Sequence, residues 1–171
     1  DLVIVGGDPR KRGLVQAATQ DAQDAGVVPG MPVEEALARC PRARALRTDM
    51  ARYREMDKRV RACFGRVCER IEPAGLAAAY LDVRESRTAV EEIARGLREM
   101  LASELHLPLR VGAAPTKAWA RIACVRAAAA GFLCVAASEV ERFLAPLPVA
   151  CLPGVGPNTE ARLAELGAPT I

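Results

Sequence analysis

Apolar positions recur along this chain with two different periods, and each change of period marks an element. Leu2 to Val5 is a short apolar run closed by Gly6-Gly7-Asp8-Pro9, which predicts a strand and a tight turn. Leu14 to Ala18 predicts a second strand. Gly26 and the Pro29-Gly30 pair limit any helix over Thr19 to Ala25 to a short one. Pro32 suits the first turn of a helix, so Val33 to Cys40 is expected as a helix that stops before Pro41. This punctuated region of about fifty residues reads as a small α+β lobe.

Beyond it the helical period dominates. Asp49 to Glu69 predicts a long charged helix whose buried stripe takes Tyr53, Met56, Val60, Phe64 or Cys63, and Val67. Ile71 to Val83 changes period and reads as strand, turn, strand. Thr88 to Leu105 predicts a second amphipathic helix with Val90, Ile93, Leu97 and Leu101 on one face. Leu109 to Ala113 is expected as a strand, Lys117 to Ala129 as a helix and Phe132 to Val135 as a strand. The alternation predicts an α/β (α+β) fold with a ferredoxin-like sheet and helices on one face. Ser138 to Leu144 reads as a short helix capped by Ser138, and Pro146 and Pro148 as a linker. Asn158 to Leu166 is expected as the last helix, ended by Gly167. The alanine patch at 127–130 reflects helix propensity.

Composition narrows the class. The chain has 171 residues, 51% apolar and only 4% aromatic, so aliphatic side chains and alanine must fill its core. A net charge of +3 allows a local basic face and does not by itself indicate nucleic acid. Six cysteines lie at 40, 63, 68, 124, 134 and 151, none in a Cys-x-x-Cys pair, and the single histidine, His106, has no cysteine near it. That spacing argues against a zinc knuckle and for reduced thiols in a cytoplasmic protein. No signal peptide and no apolar run of membrane length is present, so no membrane partner is expected. The chain opens inside a strand pattern and stops where another element would begin, which predicts a piece of a longer protein.

Three segments carry candidate chemistry. Leu152-Pro153-Gly154-Val155-Gly156-Pro157, followed by Thr159, resembles a helix-hairpin-helix hairpin. Its glycines would let the backbone approach a DNA phosphate at the positive end of a helix, with Gly154, Val155, Gly156 and Thr159 as contacts. A plain Gly/Pro turn is the competing reading. Lys117 follows Val111-Gly-Ala-Ala-Pro-Thr116 at the start of a helix, placed either for a phosphate or as a solvated lysine. Glu72 to Val83 is alanine-rich with an acidic residue, Asp82, near its end. Arg10, Lys11 and Arg12 could track a phosphate or lie solvated in a turn.

The order of these segments resembles the Y-family (DinB/UmuC-like) lesion-bypass DNA polymerases. Gly6-Gly7 with an Arg-Lys-Arg turn, Gly30-Met31-Pro32 before a helix, Ala79-Tyr80-Leu81-Asp82-Val83, Lys117 and the hairpin all match, in order, over almost the whole chain. The resemblance implies fingers over 1–50, a palm over 51–137 and a partial thumb over 138–171. The first palm strand, expected ahead of Asp1, and the little-finger domain would be absent.

Family members carry adjacent Asp and Glu where this chain has Ala77 and Ala78, and these help hold two Mg²⁺ ions. With the first palm strand also missing, the resemblance implies a vacated metal site, no catalytic residue and no cofactor. Asp82 stands four residues past Ala78, on the order of 13 Å along a strand, too far to substitute. A family Tyr and Arg that contact the incoming triphosphate correspond to Gln20 and Gln23, leaving Lys117 as the residual phosphate ligand. The implied function is a non-catalytic DNA-binding factor in repair, translesion synthesis and SOS mutagenesis, akin to the inactive accessory (ImuB-like) branch. DNA is the implied partner. The sliding clamp and other repair polymerase subunits would bind through regions outside this chain. An active translesion polymerase, represented by a truncated or altered fragment, is the alternative. A ferredoxin-like protein interaction module is the second.

Overall fold

The computed structural model describes residues 1–127 and 130–171, which divide into two compact units, Asp1–Glu55 and Met56–Ile171. The first unit is built on a three-stranded sheet in the order β2-β1-β3. Strand β1 is Val3–Gly6, β2 is Val15–Ala18 and β3 is Arg44–Arg47. β1 pairs antiparallel with β2 and parallel with β3, with Val3 opposite Arg44. Short helices α1 (Gln20–Asp24) and α2 (Val33–Arg39) complete the unit. Its core gathers Ile4, Val15, Ala22, Val33 and Ala36 from those elements and Val27 from the loop after α1. β3 has no apolar signature, because all four of its residues are exposed on an edge strand. Among the described residues it is the one strand that periodicity did not predict.

Helix α3 spans Met50–Gly65 and buries Val60, Cys63 and Phe64. It is shorter than the expected helix to Glu69. A turn begins at Arg66, which leaves Val67 37% exposed, off the buried stripe to which its spacing assigned it. Gly65, the poorest helix former short of proline in this stretch, is where the helix stops. Next come β4 (Ile71–Pro73) and β5 (Ala79–Leu81), antiparallel with Glu72 opposite Tyr80. Helix α4, Val90–Leu105, packs Leu97 and Leu101 onto Val60, Cys63 and Phe64, with Ala79 and Leu81 against the same cluster. Val90 and Ile93 are half-buried.

Strand β6 (Val111–Ala113) runs parallel to β7 (Phe132–Cys134), and α5 (Lys117–Arg126) crosses between them. The end of the helix expected to Ala129 lies outside the described residues. Thus the four strands of this unit make two separate pairs, β4–β5 and β6–β7, in a mixed α/β unit. α5 packs Ile122 and Ala123 against Val135, Val140, Leu144 and Leu147. Val140 and Leu144 lie on α6, Val140–Leu144. Ser138 does not cap α6: it sits inside a single 3₁₀ turn, Ala137–Glu139, and the N-cap position is Glu139. The expected linker is ordered by backbone pairing, since Pro148 bridges Thr170 and Ile171 N–H donates to Leu147 O at 3.0 Å. α7 spans Pro157–Glu165.

β6 meets α5 through bare backbone. A Cβ on Gly112 would lie 2.1 Å from Cys124 N and 2.3 Å from Ala120 O, atoms that cannot swing aside. Gly112→Ala is therefore expected to lower stability by roughly 1–3 kcal/mol or more, read as the urea midpoint. A midpoint equal to that of the unsubstituted protein would show that α5 is free to move off the strand.

Candidate functional site

The turn joining β4 to β5 holds Ala77 and Ala78, the two positions compared above with family carboxylates. Gly75 has φ +116 and Ala77 has φ +52, a left-handed conformation that an L-residue with a Cβ adopts at a cost. The turn is closed by Ala74 N–H donating to Ala78 O at 2.9 Å. Two side chains of α3 then grip it. Asp57 Oδ1 accepts from Ala77 N–H at 2.8 Å, while Arg61 donates to Gly75 O at 3.2 Å. The same arginine binds the other carboxylate oxygen of Asp57 at 2.8 Å, and the Asp57 side chain is only 13% exposed. This clamp was missed from sequence. The Asp57–Arg61 spacing of four residues was visible, but the turn it reaches lies twenty positions further on.

Ala77 and Ala78 thus stand in and just after a turn, before β5 starts, and offer methyl groups where metal ligation needs oxygen. Neighbouring carboxylates are already engaged. Asp82, just beyond β5, accepts from Arg84 through both oxygens, at 2.9 and 2.6 Å, and lies 3.6 Å from Arg70. The Arg84 side chain, then its backbone N–H, holds the Asp82 carboxyl well below the usual range. Glu72 forms an ion pair with Lys117. Among the described residues no three His, Cys, Asp or Glu side chains come together as a metal site.

Lys117 opens α5, where Thr116 caps the helix by accepting from Trp119 N–H. Its ammonium sits 5.9 Å from the Tyr80 ring centre as well as against Glu72. The lysine read as a phosphate ligand therefore already has an anion of its own. In the other unit, Gln20 and Gln23 lie exposed on α1, and both amides are used locally. Gln20 donates to Asp24 at 2.8 Å, and Gln23 to Ala18 O at 2.8 Å.

The hairpin starts from one 3₁₀ turn, Val149–Cys151. Val155 N–H closes the turn on Leu152 O at 3.1 Å, Gly154 has φ +94, and Gly156 is the N-cap of α7. A Cβ on Gly154 or Gly156 would meet nothing within 4 Å, so the backbone faces open space. Pro157 has no N–H to offer, which leaves the amides of Asn158 and Thr159 at the helix start. Thr159 is exposed, and Glu160 adds one negative charge to the first turn. The geometry can receive a phosphate through backbone donors without reading bases.

A family model described as impB/mucB/samB matches residues 1–125. The chain belongs to this family. DNA polymerase IV of Listeria monocytogenes is 36% identical over 98% of the chain and 48% of that protein. DNA polymerase IV of Pseudomonas aeruginosa is 38% identical over 98% of the chain and 49% of its own length. The solved structure of DinB from Sulfolobus solfataricus superposes with a TM-score of 0.87 at 26% identity, over 99% of this chain and 51% of that one. An insertion ternary complex of Dbh DNA polymerase gives 0.90 at 27%, over 99% and 52%. The chain thus spans about half the length of the relatives it matches, and its fold is that of the Y-family palm and fingers region.

The clamp has a pH signature. The Arg61 side chain, then the Ala77 N–H, pull the Asp57 carboxyl below its ordinary range. A carboxyl depressed by folding adds stability above its unfolded pKa of about 3.9 and loses it as pH falls through the folded value. Asp57→Asn should flatten this acid limb in melting temperature against pH. An unchanged acid limb would mean that the clamp is not formed in solution. Ala77→Gly should raise stability by up to about 1 kcal/mol by relieving the left-handed alanine, seen in the urea midpoint.

Proposed function

We propose that this chain is a DNA-binding, polymerase-like factor of DNA repair and translesion synthesis that does not itself catalyse nucleotide transfer. The observation that carries the reading is chemical. The residues around the β4–β5 turn present two methyl groups, and each nearby carboxylate is bound to a cation or an N–H of the protein. A pair of magnesium ions needs clustered oxygen donors, and this donor set does not fit them. No cofactor is assigned to the chain.

The relatives that bear the name DNA polymerase IV support DNA as the partner. In this reading residues 1–50 serve as fingers, 51–137 as palm and 138–171 as the start of a thumb. The hairpin of Gly154, Val155, Gly156 and Thr159 holds DNA backbone. Lys117 is a residual phosphate contact that must leave Glu72 to act, and Gln20 and Gln23 replace lost nucleotide contacts. A sliding clamp or other repair subunits would be engaged by segments outside these residues.

One observation favours a second reading, an active polymerase represented by an altered fragment. Ala77 has the left-handed backbone that Asp and Asn tolerate better than Ala, so an aspartate would fit there without strain. Ala77→Asp with Ala78→Glu, made in the full-length protein, separates the two. The non-catalytic reading expects no Mg²⁺-dependent primer extension from the double variant, and templated extension by it would sink that reading.

DNA binding is tested apart from catalysis. Affinity for a primer–template duplex should fall steeply as salt rises, as backbone contacts require. Gly156→Val, which fills the open face of the hairpin, and Thr159→Glu, which adds a like charge, should each weaken binding about tenfold with little change in melting temperature. Salt-independent binding unaffected by both would point to a protein-interaction module.

A further inference from the structure

In the first unit, β3 is bonded on one side only, to β1. Arg44 N–H donates to Leu2 O at 2.9 Å and Thr48 N–H to Gly6 O at 3.1 Å, at the two ends of that parallel ladder. Alternation along the strand therefore gives the N–H and C=O of Arg44 and Leu46 to β1 and turns those of Ala45 and Arg47 outward. The opposite edge of the sheet is closed at Val15 of β2. Gly30 N–H donates to Val15 O there, and Val15 N–H to Met31 O, both at 2.8 Å. Among the described residues, no backbone group bonds the outer side of Ala45 or Arg47.

The side chains along this open edge are basic. Arg42, just ahead of the strand, and Arg44 and Arg47 within it are all exposed. Arg47 binds Asp8 at 2.7 Å, whereas Arg42 and Arg44 hold no ion pair among the described residues. Ala45 and Leu46 stand between Arg44 and Arg47, and Leu46 is 40% exposed, enough to offer an apolar contact.

We propose that β3 accepts a strand from an acidic partner protein, antiparallel, apolar where it passes Leu46 and carrying carboxylates where it passes Arg44 and Arg42. The outward groups of Ala45 and Arg47 are both donors and acceptors, and an extended polypeptide answers both. A nucleic-acid backbone presents phosphate oxygens, which accept only, and would leave the two carbonyls facing negative charge. A second copy of this chain is disfavoured, because β3 laid antiparallel on β3 sets Arg44 against Arg47. Carboxylates opposite Arg42 and Arg44 select among the remaining strands, since an acidic residue there gains a partner and a lysine meets repulsion. Antiparallel bonds lie perpendicular to the strands and pair slightly better, which fixes the direction. The partner therefore reads apolar first and acidic toward its C-terminal end. No DNA contact is assigned to β3, so the inference stands apart from the DNA reading.

The test uses the whole chain and a blocked hexapeptide, Thr-Val-Thr-Glu-Val-Glu, with backbone amide exchange followed by NMR. Its valine at the second position lies opposite Leu46, and its glutamates lie opposite Arg44 and Arg42. Addition of the peptide should slow exchange at Ala45 and Arg47. Arg42→Glu with Arg44→Glu should weaken binding about tenfold and should restore it for a peptide whose glutamates are replaced by lysine. Both arginines are exposed, so this exchange of charge leaves the core untouched. N-methylation of the first and third peptide residues should abolish binding with the side chains unchanged, a control that needs no protein variant. The proposal is overturned if the two amides are not protected, or if the lysine or N-methylated peptide binds the unsubstituted chain equally well. It is also overturned if single-stranded oligothymidylate protects the same amides, or if they become protected without peptide as the protein concentration rises.

Discussion

A carboxylate can serve a protein cation or a metal ion, and around the β4–β5 turn of this chain the choice falls on the protein. Asp57 is divided between Arg61 and the Ala77 amide, Asp82 is held by Arg84, and Glu72 pairs with Lys117. These contacts tie the hairpin to α3 on one side and to α5 on the other. The turn is held in place although Ala77 and Ala78 carry no polar side chain. Backbone placement here is fixed by Asp57 and Arg61, whatever side chains stand at 77 and 78.

The same separation runs through the likeness to polymerases. Superposition on the Dbh ternary complex is close, with a TM-score of 0.90, at only 27% identity. Cores built on Ile4, Leu97, Leu101 and Ile122 preserve a frame without fixing the chemistry mounted on it. Function therefore has to be read from the donors and not from the frame.

Two features of the second unit follow from local packing alone. Gly112 lets α5 lie directly on β6. The hairpin at Gly154 and Gly156 projects into open space, so its amides are available, whereas the ammonium of Lys117 is not. Availability, more than residue type, distinguishes the two phosphate-binding candidates.

The sequence by itself determined most of the elements. The buried positions of α4, the break between β4 and β5, and the Gly/Pro hairpin are written in local period and turn chemistry, which act over a few residues. It also determined that alanines stand at 77 and 78, which need only be read. Edge strand β3 escaped because an exposed strand carries no apolar alternation, and Val67 was misplaced because α3 ends at Gly65 before reaching it. Only the tertiary structure decided which charges meet. Lys117 and Glu72 stand forty-five residues apart, and Asp57 and Ala77 twenty. Partnerships at that range depend on how helices dock on strands, and no periodicity along the chain encodes them.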